Sequence, residues 1–396
     1  MKQQNDAVII SVCRTPLGTF MGGLSSIPAT QLGAVVIGEA VKRSGLEASD
    51  IDEVIMGMVL PCGYGQNPAR QASIKAGIPI EKGALTVNKV CGSGLIAVVI
   101  ASQYVKTGFA DYVVAGGMEN MSAAPHFLPN SRWGVRMGPG TLRDHMVYDG
   151  LWDVVNDFHM GATNDIISNT WNVNREDQDA FACESYRRAV EAIETGRFRE
   201  EIVPVEKKDR KKGPIVIDTD EGPRPTDMDV LSMMKPAFGK DGFATAGNSS
   251  IISDGASAVV VTSRRRAEER GLPILARIIE SASAGIELEH VLLAPIRSVP
   301  KALAKAGMNI SDIGLHEVNE AFAGSTVAVM RDLGIDHNRL NVNGGSIALG
   351  HPIGASGARV LTTLLYEMKR RGETLGQASL CLGGGEAVTM IVEMEA

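Results

Sequence analysis

The chain has 396 residues, 44% apolar and 21% charged, which excludes wholesale disorder and leaves room for two or three domains or a duplicated unit. A net charge of −7 argues against a nucleic-acid binder, which carries a basic footprint. No apolar run approaches 18 residues, the five cysteines (Cys13, Cys62, Cys91, Cys183, Cys381) are too scattered for a disulfide framework, and the polar start before Ala7 has neither a signal-peptide core nor a transit helix, so a cytoplasmic protein off the membrane is expected.

In chain order, Val8–Val12 predicts a buried strand. Ala29–Ser44 predicts a helix from the spacing of Leu32, Val35, Val36, Ala40 and Val41. Asp52–Val59 is strand-like, Gln66–Ala76 helical up to Gly77, and Leu85–Val90 a short strand. Gly94–Thr107 is an apolar helix stopped by Gly108, and Asp111–Ala115 a strand running into Gly116-Gly117. This alternation predicts an α/β fold with a mostly parallel sheet.

The unit recurs. Residues 39–54, EAVKRSGLEASDIDEV, align without a gap over residues 301–316, KALAKAGMNISDIGLH. Val87-Asn88 then matches Val342-Asn343, Ser93-Gly94 matches Ser356-Gly357, and Ala115-Gly116-Gly117 matches Leu382-Gly383-Gly384. Between the copies, Ser122 to about Gly247 has another texture, with long polar stretches, prolines and tryptophans. It holds one clear helix, Glu176–Thr195, opened by Asn174 and Arg175, and a charged loop, Glu206–Lys212. We read it as an insertion, either a carrier of substrate-binding loops or a plain surface lobe.

Glycine is overrepresented, 44 residues against an average of roughly 7%, and its clusters hold the reactive side chains. In VNKVCGSGL, Cys91 lies where a strand ends and a helix starts, with Gly92 and Gly94 opening space for a substrate. A helix N-terminus favours a thiolate, as a nucleophile requires; a small buried cysteine in a tight turn is the other reading. In VNGGSIALGHPIGASGARV, His351 sits between Gly350 and Pro352, with Gly354 and Gly357 beyond, and is suited to take a proton from a thiol. The repeat places this loop opposite the Cys91 loop, at the carboxyl ends of strands. In CLGGGEA, three glycines leave backbone N–H groups free to hold an anion, and Cys381 is a candidate second acid or base. In VNEAFAG, Asn319 is suited to orient a water or a histidine, or equally to cap a helix. No C-x-x-C, H-E-x-x-H or phosphate-loop motif occurs, so no metal site is expected.

Together with CRTPLGTFMGGL (Cys13–Leu24), GQNPARQA (Gly65–Ala72), AGGMENMS (Ala115–Ser122), HMGAT (His159–Thr163) and TAGNSS (Thr245–Ser250), these segments resemble, over essentially the whole chain, the thiolase family and its acetyl-CoA C-acetyltransferases. The resemblance implies a five-layered α-β-α-β-α fold of two similar halves. The first half would be residues 1–121 completed by 248–270, the coenzyme A-binding loop domain 122–247, and the second half 271–396. It further implies ping-pong acyl transfer with coenzyme A thioesters as substrates and no separate cofactor. Cys91 would carry the acyl group, His351 serve as its base, and Cys381 move the α-carbon proton. One oxyanion hole would use His351 with a water held by Asn319, the other the N–H groups of Cys91 and Gly383. Ser250 would contact the pantetheine and Arg224 the nucleotide end. His159 and Met160 would line the tunnel, and Phe238 and Phe322 wall it. Val291 stands where many relatives have a methionine closing the acyl pocket, which bears on chain length. The family implies a homodimer or homotetramer. The competing expectations are a degradative 3-ketoacyl-CoA thiolase with longer substrates and an inactive acyl-CoA-binding protein. Thiolysis of acetoacetyl-CoA against longer 3-oxoacyl-CoA discriminates them.

Overall fold

The computed structural model describes residues 3–209 and 213–395. Arg210, Lys211 and Lys212, the end of the expected charged loop, lie outside the described residues, as do Met1, Lys2 and Ala396. Nine strands make the main path of one large sheet: β1 (Ala7–Arg14), β2 (Glu53–Gly57), β3 (Gly83–Val87), β4 (Tyr112–Asn120), β5 (Ser253–Ser263), β6 (Ala276–Gly285), β7 (Leu315–Val318), β8 (Leu375–Leu382) and β9 (Glu386–Met394). Their order in space is β7-β8-β9-β6-β1-β5-β4-β2-β3. The β1–β6 joint has only two residue pairs, Val8 with Arg277 and Ile9 with Ala276, so the path is two half-sheets meeting at a seam.

The longer helices are α1 (Ala29–Ser44), α2 (Pro68–Lys75), α3 (Ser93–Thr107), α4 (Met160–Thr170), α5 (Arg175–Glu194), α6 (Pro295–Ala306), α7 (Ala323–Leu333) and α8 (Ser356–Arg371). The five layers follow from the period-2 alternation of strand side chains. On β5, Val259 and Val261 join Val98 and Ala101 of α3 and Leu361 and Leu364 of α8 in the central core. Ala258 and Val260 turn the other way, onto Leu32, Val36 and Ile37 of α1. Across the seam, Leu380 and Met390 face the same central helices, while Ala282 and Ile391 face Val299, Ala302 and Leu303 of α6. The central strands are therefore buried on both faces, which is why β1 is buried at all eight positions.

The expected mostly parallel sheet needs correction. The pairings β2–β3, β2–β4 and β7–β8 are parallel, and those linking β4, β5, β1, β6, β9 and β8 are antiparallel. Each half closes with a strand that returns antiparallel. In the second half that return is a short turn, Gly383 to Gly385, with Gly384 and Gly385 at φ +88° and +81°. In the first half residues 121–252 intervene between β4 and β5.

The gapless repeat is physical. One-turn 3₁₀ segments at Ala48–Asp50 and Ile310–Asp312 each carry a reciprocal cap, Glu47 with Asp50 and Asn309 with Asp312, and lead into β2 and β7. The glycine alignment was misplaced. Glu53 pairs with Val113 and Leu315 with Gly376. With Glu53 over Leu315, Gly116 corresponds to Ser379 and Cys381 to Met118. The two glycine pairs do different jobs: Gly117 gives way to the backbone of Gly354, whereas the Gly383–Gly385 turn closes β8 onto β9.

The inserted segment is tied to β1 by a buried ion cluster. Arg14 Nε donates to Glu201 at 2.6 Å, and its two terminal nitrogens donate to Asp220 at 2.7 and 2.9 Å. Breaking such a buried cluster on one side costs about 3–5 kcal/mol. Within the segment, α5 starts on an Asn174–Asp177 capping box. The stretch expected as a charged loop begins as a strand, Val205–Asp209, paired with Gly213–Ile217. The stretch Val90–Thr107 also corrects an expectation, because by length and composition it could cross a membrane, though half of it is buried and α3 lies in the central helix layer.

Candidate active site

Cys91 occupies the turn between β3 and α3, after Val90 at φ +47°. Ser93 pins the turn: its Oγ accepts from Lys89 N at 2.8 Å and donates to Val90 O at 2.6 Å. The glycines around it serve packing, which revises the expectation of space for substrate. A Cβ on Gly92 would lie 2.3 Å from Leu382 Cδ2, so glycine lets the Cys91 turn press on the end of β8. A Cβ on Gly94 would lie 2.8 Å from Ala358 N, and one on Gly357 2.3 Å from Leu95 N. These equivalent glycines let α3 and α8 cross in close contact.

The helix end does not win at Cys91. Burial pushes the thiol up to about 11, and the N–H groups of Gly383 and of Cys91 itself pull only partly the other way. Cys91 therefore rests as a thiol, contrary to the expectation from its place at the helix start. Those two amides converge on the Cys91 sulfur. Cys381, buried near the end of β8, also rests as a thiol, raised first by burial and then by facing Cys91.

His351 is buried, and its Nδ1 lies 2.6 Å from Ser356 Oγ. That hydroxyl donates to Pro352 O at 2.9 Å, so it must accept from Nδ1–H. Nε2 is left unprotonated, an acceptor toward the Asn319 amide. Burial first, then the Arg359 cation, push the imidazole down to about 3, so it stays neutral. Asn319 Nδ2 lies 3.4 Å from Nε2. The helix-cap reading of Asn319 falls, because α7 starts at Ala323 with Phe322 as its cap. The neighbouring Glu320 fixes this turn, accepting from Ser185 Oγ (2.7 Å), Asn341 Nδ2 (2.9 Å) and Ile347 N (3.2 Å).

Glu119 is a residue that sequence reasoning quoted only inside a motif. Its buried carboxylate accepts from Val59 N at 2.9 Å, Leu60 N at 3.2 Å and Gly354 N at 3.0 Å, holding the loop after His351 against the first half. Burial pushes its carboxyl up to about 7. Nothing in the sequence marks it, since its three partners are backbone amides from distant segments.

A cavity of about 520 Å³ opens onto His351. Cys91 packs against the cluster that contains Met121 and Ile353, and both of these line the cavity. Ser250, His159, Arg224, Phe238 and Phe322 line it as well. His159 stacks on Phe238 with ring centres 4.6 Å apart, and Phe238 meets Phe322 edge-on at 6.0 Å. Arg224 lies over the Tyr186 ring at 5.0 Å. Ser250 is fixed by its N–H to Ala321 O at 3.0 Å. Met160 and Val291 are not among the lining residues. Both are buried in the cluster that holds Cys381, Val291 on the short turn Leu288–Leu293. Sequence reasoning did not single out Phe20, Met121, Leu151, Ile252 or Ile353, apolar lining residues that look like any others.

Residues 7–265 match the family profile described as thiolase, N-terminal domain, and residues 272–394 the one described as thiolase, C-terminal domain. The chain is 53% identical over 392 residues to an acetyl-CoA acetyltransferase of Syntrophomonas wolfei, covering 98% of this chain and 99% of that one. It is 52% identical over 386 residues to an acetyl-CoA acetyltransferase of Pseudomonas aeruginosa, at 97% and 98% coverage. The crystal structure of the Bacillus anthracis acetyl-CoA acetyltransferase matches with a TM-score of 0.97 at 39% identity, each chain covered in full.

Proposed function

The chain belongs to the thiolase family, and from that premise we propose that it is an acetyl-CoA C-acetyltransferase, condensing two acetyl-CoA to acetoacetyl-CoA and coenzyme A and catalysing the reverse. The observation that carries this reading is the meeting of two thiols, Cys91 and Cys381, from opposite halves of the fold, beside a cavity that ends on a neutral imidazole.

The residues take these roles. His351 Nε2 accepts the Cys91 proton as the sulfur adds to the thioester carbonyl. The N–H groups of Cys91 and Gly383 receive the charge that develops on oxygen. Collapse breaks the bond to coenzyme A, whose thiolate takes a proton from Cys381. Cys381, now a thiolate, removes a proton from the methyl of the second acetyl-CoA. The enolate oxygen is held by the protonated Nε2 and by Asn319 through a water. The carbanion attacks the acetyl group, and Cys91 leaves as a thiolate that recovers its proton from His351. Two thiols that rest protonated suit this sequence, because each must give up a proton before it must accept one.

We assign Ser250, His159, Phe238 and Phe322 to the pantetheine passage and Arg224 to the nucleotide end, supported by their places along one cavity. Met160 and Val291 would act from behind the wall. Residues 122–247 form the coenzyme A-binding domain in this reading, with 1–121 plus 248–270 and 271–396 as the two halves. We further propose a homodimer or homotetramer in the cytoplasm. Two features support association: β3 is an edge strand of the large sheet, and the inserted segment exposes Trp133 and Met137, at 81% and 96%.

The test is the kcat/KM for thiolysis of acetoacetyl-CoA, 3-oxohexanoyl-CoA and 3-oxopalmitoyl-CoA. Acetoacetyl-CoA should rank first. A preference for 3-oxopalmitoyl-CoA would make the enzyme degradative, and no turnover of any would make it a binding protein.

A further inference from the structure

Behind Asn319 runs a buried polar line that the reaction scheme leaves unused. Arg359, on α8, is 1% exposed. One of its terminal nitrogens, Nη2, lies 2.9 Å from Ser346 Oγ. Its Nε and Nη1 have no hydrogen-bond partner among the described residues, and the Glu317 carboxylate stands 4.0 Å away. Ser346 is fully buried, and its Oγ lies 2.6 Å from the Asn319 side chain. Neither Ser346 nor Arg359 lines the cavity.

The donor inventory sets the direction of this line. A guanidinium has donors only, so Ser346 Oγ must accept from Arg359. The single hydroxyl proton of Ser346 is then free for Asn319, and the Asn319 atom that receives it must be the carbonyl oxygen. The amide nitrogen is thereby turned toward His351 Nε2, 3.4 Å away. The two ends of an amide are nearly alike in shape, so shape alone does not choose between them. The hydroxyl does.

We propose that Ser346 and Arg359 are positioning residues that fix which end of the Asn319 amide faces the reaction. The proposal rests on the thiolase activity proposed above and deepens it. A donor set beside His351 Nε2 orients the water that holds the enolate oxygen there. An amide turned by 180° presents its carbonyl oxygen instead, which takes one of the water's protons rather than polarising the water toward the enolate. The effect belongs to the carbon–carbon step. Acylation of Cys91 relies on the N–H groups of Cys91 and Gly383 and does not pass through Asn319.

The experiment compares wild type, Ser346→Ala, Asn319→Ala and the double variant. Each is assayed for acetoacetyl-CoA synthesis and for label exchange between acetyl-CoA and free coenzyme A. Removing an oxyanion-hole donor costs about 10²–10³ in kcat. We expect Asn319→Ala to fall in that range and Ser346→Ala to lose roughly tenfold in kcat by partial misorientation, with KM within about twofold. The double variant should be no slower than Asn319→Ala, because both changes remove one unit. Exchange should stay within about threefold of wild type in Ser346→Ala, which also reports an intact fold. Four results would overturn the proposal: synthesis by Ser346→Ala within twofold of wild type, exchange falling by the same factor as synthesis, KM rising as kcat falls, or a double variant whose loss is the product of the two single losses. A wild type with no synthesis and no thiolysis would overturn the activity itself, which separates the two failures.

Discussion

The two halves share one plan and divide the chemistry unequally. In both, a helix leads through a capped 3₁₀ turn into a strand, and a second helix starts on a Ser-Gly pair, Ser93-Gly94 or Ser356-Gly357, in close contact with its counterpart. In the proposed scheme the first half contributes one reactive side chain, Cys91, assisted by backbone N–H groups alone. The second contributes Asn319, His351 and Cys381. Its polar side chains are oriented by others, His351 by Ser356 and Asn319 by Ser346. Duplication supplied two matching sets of strand ends facing each other. In the proposed scheme one serves as a bare nucleophile and the other as a wired acid–base apparatus.

The sharpest break in that comparison comes from removing the wired side. His351→Ala should lower kcat for thiolysis by about 10²–10⁴, since it removes both the base and an oxyanion donor. A loss within tenfold would mean that the second half does not carry the base. Next in size is the pH dependence of Cys91. A thiol raised to about 11 is ionised at pH 7 to the order of 10⁻⁴. Alkylation of the free enzyme by iodoacetamide, followed on the Cys91 peptide by mass spectrometry, should therefore rise about tenfold per pH unit up to about pH 10. A plateau near pH 7 would reveal a preformed thiolate–imidazolium pair instead.

The shared plan is tested where the halves touch. Gly94→Ala and Gly357→Ala each drive a methyl into backbone of the opposing helix. Each should destabilise by about 1–3 kcal/mol in urea unfolding. If only one did, the pseudo-symmetric contact would be wrong. The smallest effect is expected at Val291, which the structure places behind the wall with Cys381. Val291→Met should cost acetoacetyl-CoA and 3-oxohexanoyl-CoA thiolysis equally, within about threefold. A selective loss on the longer substrate would return Val291 to the acyl pocket.

What the sequence made legible was local. Ala29–Ser44 was readable to the residue because Gly45, at φ +78°, closes the helix with its N–H on Lys42 O. The four candidate side chains were readable because each sits in or beside a turn rich in glycine or small residues. Strand direction was not, since it depends on which distant strand lies alongside: β1 pairs with residues 257–263. The strand pairing of Val205–Asp209 with Gly213–Ile217 was hidden by charges, and the glycine pairs misled because turn glycines and packing glycines look alike. The protonation of Cys91 was misjudged because a helix end is visible in sequence and desolvation is not. The positioning roles of Ser346, Ser356 and Arg359 escaped notice because they act only through other side chains.

The central claim is that Cys91 carries the acyl group while Cys381 moves the carbon-bound proton. Label exchange between acetyl-CoA and free coenzyme A moves no carbon-bound proton and uses Cys381 only to protonate the leaving thiolate, a task water can take over slowly, whereas acetoacetyl-CoA thiolysis needs both. Cys91→Ala should lose exchange and thiolysis together. Cys381→Ala should keep a slow but measurable exchange while thiolysis collapses. Loss of exchange in Cys381→Ala as complete as in Cys91→Ala would contradict the division of labour.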